Sequence, residues 1–428
     1  MSATGEIDAV WRIEQRKLVA RLARLLRDVG LAEEIAQDVF VLALECWPRE
    51  GIPSNPAGWL TQVAKNRALD RLRRTSLIEG KHRELAIDLA ELECETPGID
   101  TTLDEDIDDD LLRLIFTACH PVLPAEQRVA LALRLLVGVS TPEIARAFLV
   151  PEATIAQRIV RAKRTLRDAA IPFETPRGAE RRERLGAVLE VVYLIFNEGY
   201  VATEGSHWLR ADLCSEALRL GRSLAALIPG ESEVQGLVAL MELHASRFAA
   251  RIDKAGNPIL LLDQDRSQWD HSLIRRGLDG LNRAMVLTLT PGPYVLQAMI
   301  AASHARAVTA ADTNWIAIAA HYQALAFVAP SPVVEINRAV AVSMAFGPAQ
   351  ALAVVDALRG EPRLKGLHLL PTVRGDLLAK LGRTAEARAE FLRAAELTGN
   401  DRERAVLLAR ANCSMRGSEV ISIEQRFT

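Results

Sequence analysis

The sequence predicts an all-α protein: two small helical domains joined by an acidic linker, followed by a long helical C-terminal half. Three observations carry this. Alanine, leucine and arginine dominate, and aromatics are only 5%, so the residues that favour strands are scarce. Apolar residues recur every three or four positions through most of the chain, the period of a helix with one buried face. Proline and glycine cluster between those runs and separate the helices. At about 150 residues per domain, a chain of 428 has room for roughly three domains.

The first bundle spans Ile7 to Arg74. Trp11, Ile13, Leu18, Leu22, Leu25 and Leu26 form one apolar stripe, and Gly30 marks a stop. In AEEIAQDVFVLALECW, Ile35, Val39, Leu42 and Trp47 share one side, and Glu33, Glu34 and Asp38 share the other. PREGIPSNPAG is a loop. The helix WLTQVAKNRALDRLRRT then turns Trp59, Leu60, Val63, Leu69 and Leu72 inward, with Lys65, Arg67, Arg71, Arg73 and Arg74 on its basic side. From Asp88 to Asp110 every charged residue is acidic, and like charges at that density disfavour a packed core, so residues 81–110 read as a flexible linker. It either screens the basic helices beside it or merely solubilises the chain.

Pro124 to Arg167 reads as two short helices with a tight turn between them. Ser140 caps the first, and Glu143 three residues on completes a capping box. Ile144, Ala145 and Phe148 form its buried stripe. Pro151 suits the start of the next helix. There Ile155, Ile159 and Ala162 face inward, while Arg158, Arg161, Lys163, Arg164 and Arg167 surround them with positive charge. A helix-turn-helix that offers a basic second helix to a major groove has this form, and so does a helical hairpin with a solvated face.

Beyond the second linker, IPFETPRG, the chain is helical again. LGAVLEVVYLIFNEGY, RADLCSEALRLGRSLAALIPG and EVQGLVALMELHASRFAAR are apolar or amphipathic helices. In the turn DKAGNPILLLDQDRSQWDHSL, the acids Asp263, Asp265 and Asp270 flank Arg266 and Trp269. They make either a ligand site or a hydrogen-bonded corner, and the corner is favoured because Asp commonly bonds nearby backbone. LGRTAEARAEFLRAAEL has the small-residue pattern of a tetratricopeptide helix pair, and FGPAQALAVVDAL is an offset copy. Gly382 and Gly347 lie about one 34-residue repeat apart. Such an array leaves a concave face for a protein partner.

Several classes are excluded. The five cysteines form no CxxC, and no metal-ligand spacing, nucleophile–base set or phosphate loop is present, so neither a cofactor nor an enzyme activity is expected. MSATGEIDAV lacks the features of a signal peptide, and the apolar runs are too short to span a bilayer, which points to the cytoplasm and to no membrane partner. The net charge of −3 confines any DNA-binding surface to local patches.

The two basic helices and the tether between them resemble bacterial sigma factors of the extracytoplasmic-function group. AEEIAQDVF is similar to that family's polymerase-binding helix, NPAGWLTQVAKNRALDRLRR to its −10 helix, and LPAEQRVALALRLLVGVSTPEIARAFLVPEATIAQRIVRAKRTLR to its region four. The C-terminal half, with FNEGY, RADLCSEALRL and LLLDQDRSQWD, resembles a subgroup that carries a helical domain and tetratricopeptide repeats. The resemblance implies a region-two domain over residues 1–80, the linker over 81–110, a region-four domain over 111–172, a helical domain over 173–290 and repeats over 291–415. Leu149, Pro151 and Ala156 depart from the residues common in the family turn and recognition helix.

Core RNA polymerase and promoter DNA are the implied partners. Glu33, Glu34 and Asp38 would contact polymerase, and Asn66, Arg67, Asp70, Arg71 and Arg74 would hold the melted −10 strand. Thr154, Ala156, Gln157 and Arg161 would face −35 base edges, with Arg158 and Arg164 near phosphates. The C-terminal half would hold the DNA-binding domains inactive, bind a signal protein or add polymerase contacts. The rival reading is a ligand- or partner-controlled helix-turn-helix regulator that binds its DNA tightly without polymerase.

Overall fold

The computed structural model describes residues 3–79, 102–148, 150–200, 211–251, 253, 259–398 and 401–413, and every regular element among them is helical. Two compact units result, Met1–Ile195 and Phe196–Thr428.

In the first unit α1 (Ala3–Leu26) packs against α2 (Val29–Glu50) and α3 (Pro56–Glu79). Asp28 starts α2 by accepting the Leu31 amide at 3.0 Å. Asn55 does the same for α3, accepting the Gly58 amide at 2.9 Å. Leu18, Leu22, Ile35, Val39, Trp47 and Leu60 are buried between the three helices. Ile13, expected in that stripe, is instead 60% exposed, and Gln15 takes an inward position.

The acidic stretch is also not all linker. Helix α4 (Thr102–Ala118) begins inside it and packs on α1, whereas residues 81–101 lie outside the described residues. Repulsion among the acids is relieved by cations. Arg113 bonds Asp110 at 2.8 Å and pairs with Asp109, and Arg24 lies 3.4 Å from Asp110.

After α4 come α5 (Ala125–Ala132), a π-helical turn over Leu133–Val137, α6 (Thr141–Ala147) and α7 (Glu152–Asp168). Gly138 closes the π turn at φ +83°, a conformation that side chains resist.

Helix α8 (Gly178–Tyr200) crosses the boundary between the units. The second unit continues with α9 (Ala211–Leu227), α10 (Ser232–Ala245), α11 (His271–Leu287) and α12 (Pro293–Arg306). Helix α10 is buried from Val234 to Ala245 and forms the centre of this unit. It approaches α12 so closely that a Cβ on Gly236 would stand 2.6 Å from a Val295 methyl and 2.8 Å from the Val295 backbone nitrogen. Gly236→Ala should therefore cost about 1–3 kcal/mol, seen as a lower urea midpoint for this unit. The Asp-rich turn is a hydrogen-bonded corner: Asp265 accepts the Ser267 amide at 3.0 Å, and Asp270 caps α11 through the Ser272 and Leu273 amides at 2.8 and 3.0 Å.

Successive helix pairs follow: α13 (Trp315–Val328), α14 (Pro332–Phe346), α15 (Pro348–Ala357), α16 (Leu369–Lys380), α17 (Thr384–Leu397) and α18 (Asp401–Cys413). Gly347 and Gly382 turn two of the pairs at φ +99° and +72°. This arrangement is compatible with the tetratricopeptide reading.

Candidate nucleic-acid interface

Helix α6 is fixed at its start by a complete capping box. The Ser140 amide donates to Glu143 Oε2 at 2.9 Å, and the Glu143 amide donates to Ser140 Oγ at 3.4 Å. Val150 and Pro151 then turn the chain into α7, and Leu149 lies outside the described residues. Ile155, Ile159, Ala162 and Leu166 anchor α7 to the unit's core. On the opposite side Ala156, Gln157, Val160, Arg161 and Arg164 form an exposed strip, with Thr154 and Arg158 half-buried at its edges. Val160, 65% exposed, is the member that charge-based reading missed. Its place one turn beyond Ala156 and Gln157 was the available signal. The Arg164–Asp168 pair at 3.3 Å is a solvated surface contact and holds Arg164 only weakly.

On α3, Asn66, Asp70 and Arg71 are exposed. Arg67 lies 3.4 Å from Asp38 of α2, which joins a residue expected to hold DNA to one expected to touch polymerase. Arg74 belongs to α3, but its side chain lies outside the described residues. Trp59 is half-buried and stands edge-on to Trp47, with centroids 5.3 Å apart.

The acidic face of α2 divides. Glu34 and Asp38 are exposed as expected, but Glu33 is 1% exposed. Arg134 of the π turn donates to its carboxylate at 2.6 Å, and the Lys163 ammonium of α7 pairs with the other oxygen. Assigning every acid on α2 to solvent overlooked that a carboxylate can be buried when cations meet it. A second pair lies beside the first, with Arg167 Nε donating to Asp28 at 2.8 Å. Burial works to raise the Asp28 carboxyl, but the Leu31 amide and Arg167 outweigh it and hold its pKa below the usual range. Gln15 of α1 adds a 3.4 Å bond to the Arg134 carbonyl. Lys163 and Arg167 are therefore engaged with α2 and its cap, and the exposed strip of α7 is left to Arg161, Arg164 and their neighbours.

Three family matches follow this division. Residues 11–77 match Sigma-70 region 2, residues 113–166 match Sigma-70 region 4, and residues 184–285 match a family of unknown function (DUF6596). An uncharacterized protein of Rhizobium meliloti (strain 1021) is 46% identical over 412 residues, 95% of each chain. The ECF RNA polymerase sigma factor SigK of Mycobacterium tuberculosis is 30% identical over 149 residues, 34% of this chain and 75% of that one. A probable ECF RNA polymerase sigma factor, SigI of the same species, is 26% identical over 171 residues, 40% of this chain and 58% of its own. The capped helix-turn-helix and the basic α3 are thus the two sigma regions in their usual order, and the chain belongs to the ECF family of RNA polymerase sigma factors.

Proposed function

We propose that the chain binds core RNA polymerase through the acidic face of α2 and directs initiation at specific promoters, with the C-terminal unit as a regulatory or partner-binding extension. The observation that carries this reading is the exposed strip of α7, which combines one amide, two methyl-bearing residues and two guanidinium groups on a core-anchored helix. Gln157 suits adenine, Arg161 suits guanine and Val160 suits a thymine methyl. Arg158 and Arg164 serve phosphates, which position the helix without reading sequence. In region two, a base flipped from the melted −10 strand costs a few kcal/mol to unstack. The loop at residues 51–55 and the start of α3 would select that base, and the basic side of α3 would hold the backbone.

Run-off transcription with core enzyme and the full chain tests the proposal. Promoters upstream of genes that rise on overexpression should fire only when the chain is added. Core enzyme that stays silent on all of them while the chain alone binds those sites tightly would favour a polymerase-independent regulator. Gln157→Ala or Arg161→Ala should reduce initiation about ten- to hundredfold and relax preference at one −35 position. Arg164→Ala should weaken all promoters alike.

A further inference from the structure

Among its described residues, the second unit buries two guanidinium groups at one place without a matching carboxylate. Arg247 and Arg251 follow α10 about one turn apart, and each is 6% exposed. Arg247 Nη2 donates to the Tyr200 hydroxyl at 2.8 Å. Arg251 Nη1 donates to the Tyr200 carbonyl at 2.9 Å, and its guanidinium carbon lies 3.6 Å from the ring centre of Tyr200. These partners are neutral, and neither guanidinium has a carboxylate partner among the described residues. The buried acid nearest in sequence, Glu242, is occupied by Arg222 at 2.8 Å and Arg276 at 3.6 Å.

Three more groups complete the cluster. His244 is fully buried against Tyr200, with ring centroids 5.2 Å apart, and neither ring nitrogen has a hydrogen-bond partner among the described residues. Arg266 is brought in by the Asp-rich corner and donates to the carbonyls of His304 and Ala307 at 2.8 and 2.7 Å. It lies 5.0 Å from the Trp269 ring, and Arg247 approaches the same ring at 6.0 Å. His304 is 4% exposed beside them. Burial, then Arg247 and Arg251, push the His244 pKa well below its ordinary value. Burial, then Arg247 and Arg266, bring that of His304 down to about 3.

A buried guanidinium cannot shed its charge, and one without a counter-ion is far more costly than one that is paired. Among the described residues no carboxylate pairs with Arg247 or Arg251, and a bound anion would supply that charge. We propose that Arg247 and Arg251, with the His244 ring and the Tyr200 hydroxyl, form a binding site for the oxyanion head of a small metabolite, either a phosphate or a carboxylate. Guanidinium forks match both groups in a bidentate manner, and the surrounding Phe196, Phe248 and Trp269 keep water away and strengthen the contact. This goes beyond the sigma reading and stands whether or not α7 recognises a promoter.

Thermal unfolding of the full chain, titrated with inorganic phosphate or succinate against sodium chloride at equal ionic strength, tests the site. At saturation one of the two oxyanions should raise Tm by roughly 5 °C beyond chloride, and which one does so identifies the head group. Arg247→Lys keeps the charge but loses the fork, and should remove most of the shift, as should Arg251→Gln. Wild-type shifts equal to chloride for both anions would overturn the proposal, even if neither variant folds. So would shifts that survive both substitutions, because the anion would then sit on the basic surface of α7 or elsewhere.

Discussion

Glu33→Ala is expected to destabilise the first unit by about 3 kcal/mol, read as a lower urea midpoint with an unchanged slope. The carboxylate meets both Arg134 and Lys163, and its removal leaves two cations facing each other at a half-buried contact. The loss should therefore depend on its partners: in Glu33→Ala/Lys163→Met the effects should fall well short of additive, because the second substitution removes a charge that the first leaves unpaired. Full additivity would mean that Glu33 and Lys163 do not interact. Glu34→Ala, on the exposed side of the same helix, should change stability by less than about 0.5 kcal/mol.

The second unit should lose stability as the pH falls below about 6.5. His244 and His304 are neutral when folded, because burial and the neighbouring arginines hold both pKa values down, that of His304 to about 3. In the unfolded chain both protonate near 6.5, so their contribution is present above that pH and lost below it. Two extra protons on the unfolded state amount to about 2.7 kcal/mol per pH unit once both are fully bound. Asp376 acts in the opposite sense. Burial, opposed by Arg410 and Lys380, raises its pKa from 3.8 to about 6, so its contribution is present below 3.8 and lost as pH rises through 6. Between those values it offsets up to one of the two protons. Calorimetry in chloride buffers from pH 7.5 to 4.5 should show the fall in Tm, steeper in Asp376→Asn and shallower in His304→Gln. A wild-type Tm that is flat over this range would contradict the assignment of both histidines as neutral.

The sequence made local features legible and left contacts between distant segments hidden. The capping box at Ser140 and Glu143 and the inward stripe Ile155–Ile159–Ala162 each depend on residues within one or two turns, so local spacing exposes them. Glu33 could not be placed in this way. Its partners lie 101 and about 130 residues away, and nothing in its own helix distinguishes it from Glu34. The acidic stretch misled for the same reason, since Arg24, which helps to accommodate Asp110, belongs to α1. Arg247 and Arg251 could be read as a solvated face from their spacing, and only the packing around Tyr200 shows them to be buried. Of the departures, Pro151 precedes α7, whereas Ala156 lies on its solvent-facing strip.

The burial of Glu33 bears on how tightly polymerase would be held. If Glu33 contributes to that docking surface, only molecules in which Arg134 and Lys163 have let go can use it. Each 1.4 kcal/mol that favours the closed contact then lowers the apparent affinity for core enzyme about tenfold, with no change at the docking surface itself. An effector that releases Lys163 would raise affinity by the same factor, and so would a substitution that weakens the contact without touching Glu33, such as Arg134→Ala. Competition between this factor and others for core enzyme would then be set by the fraction of molecules that are open as much as by their number.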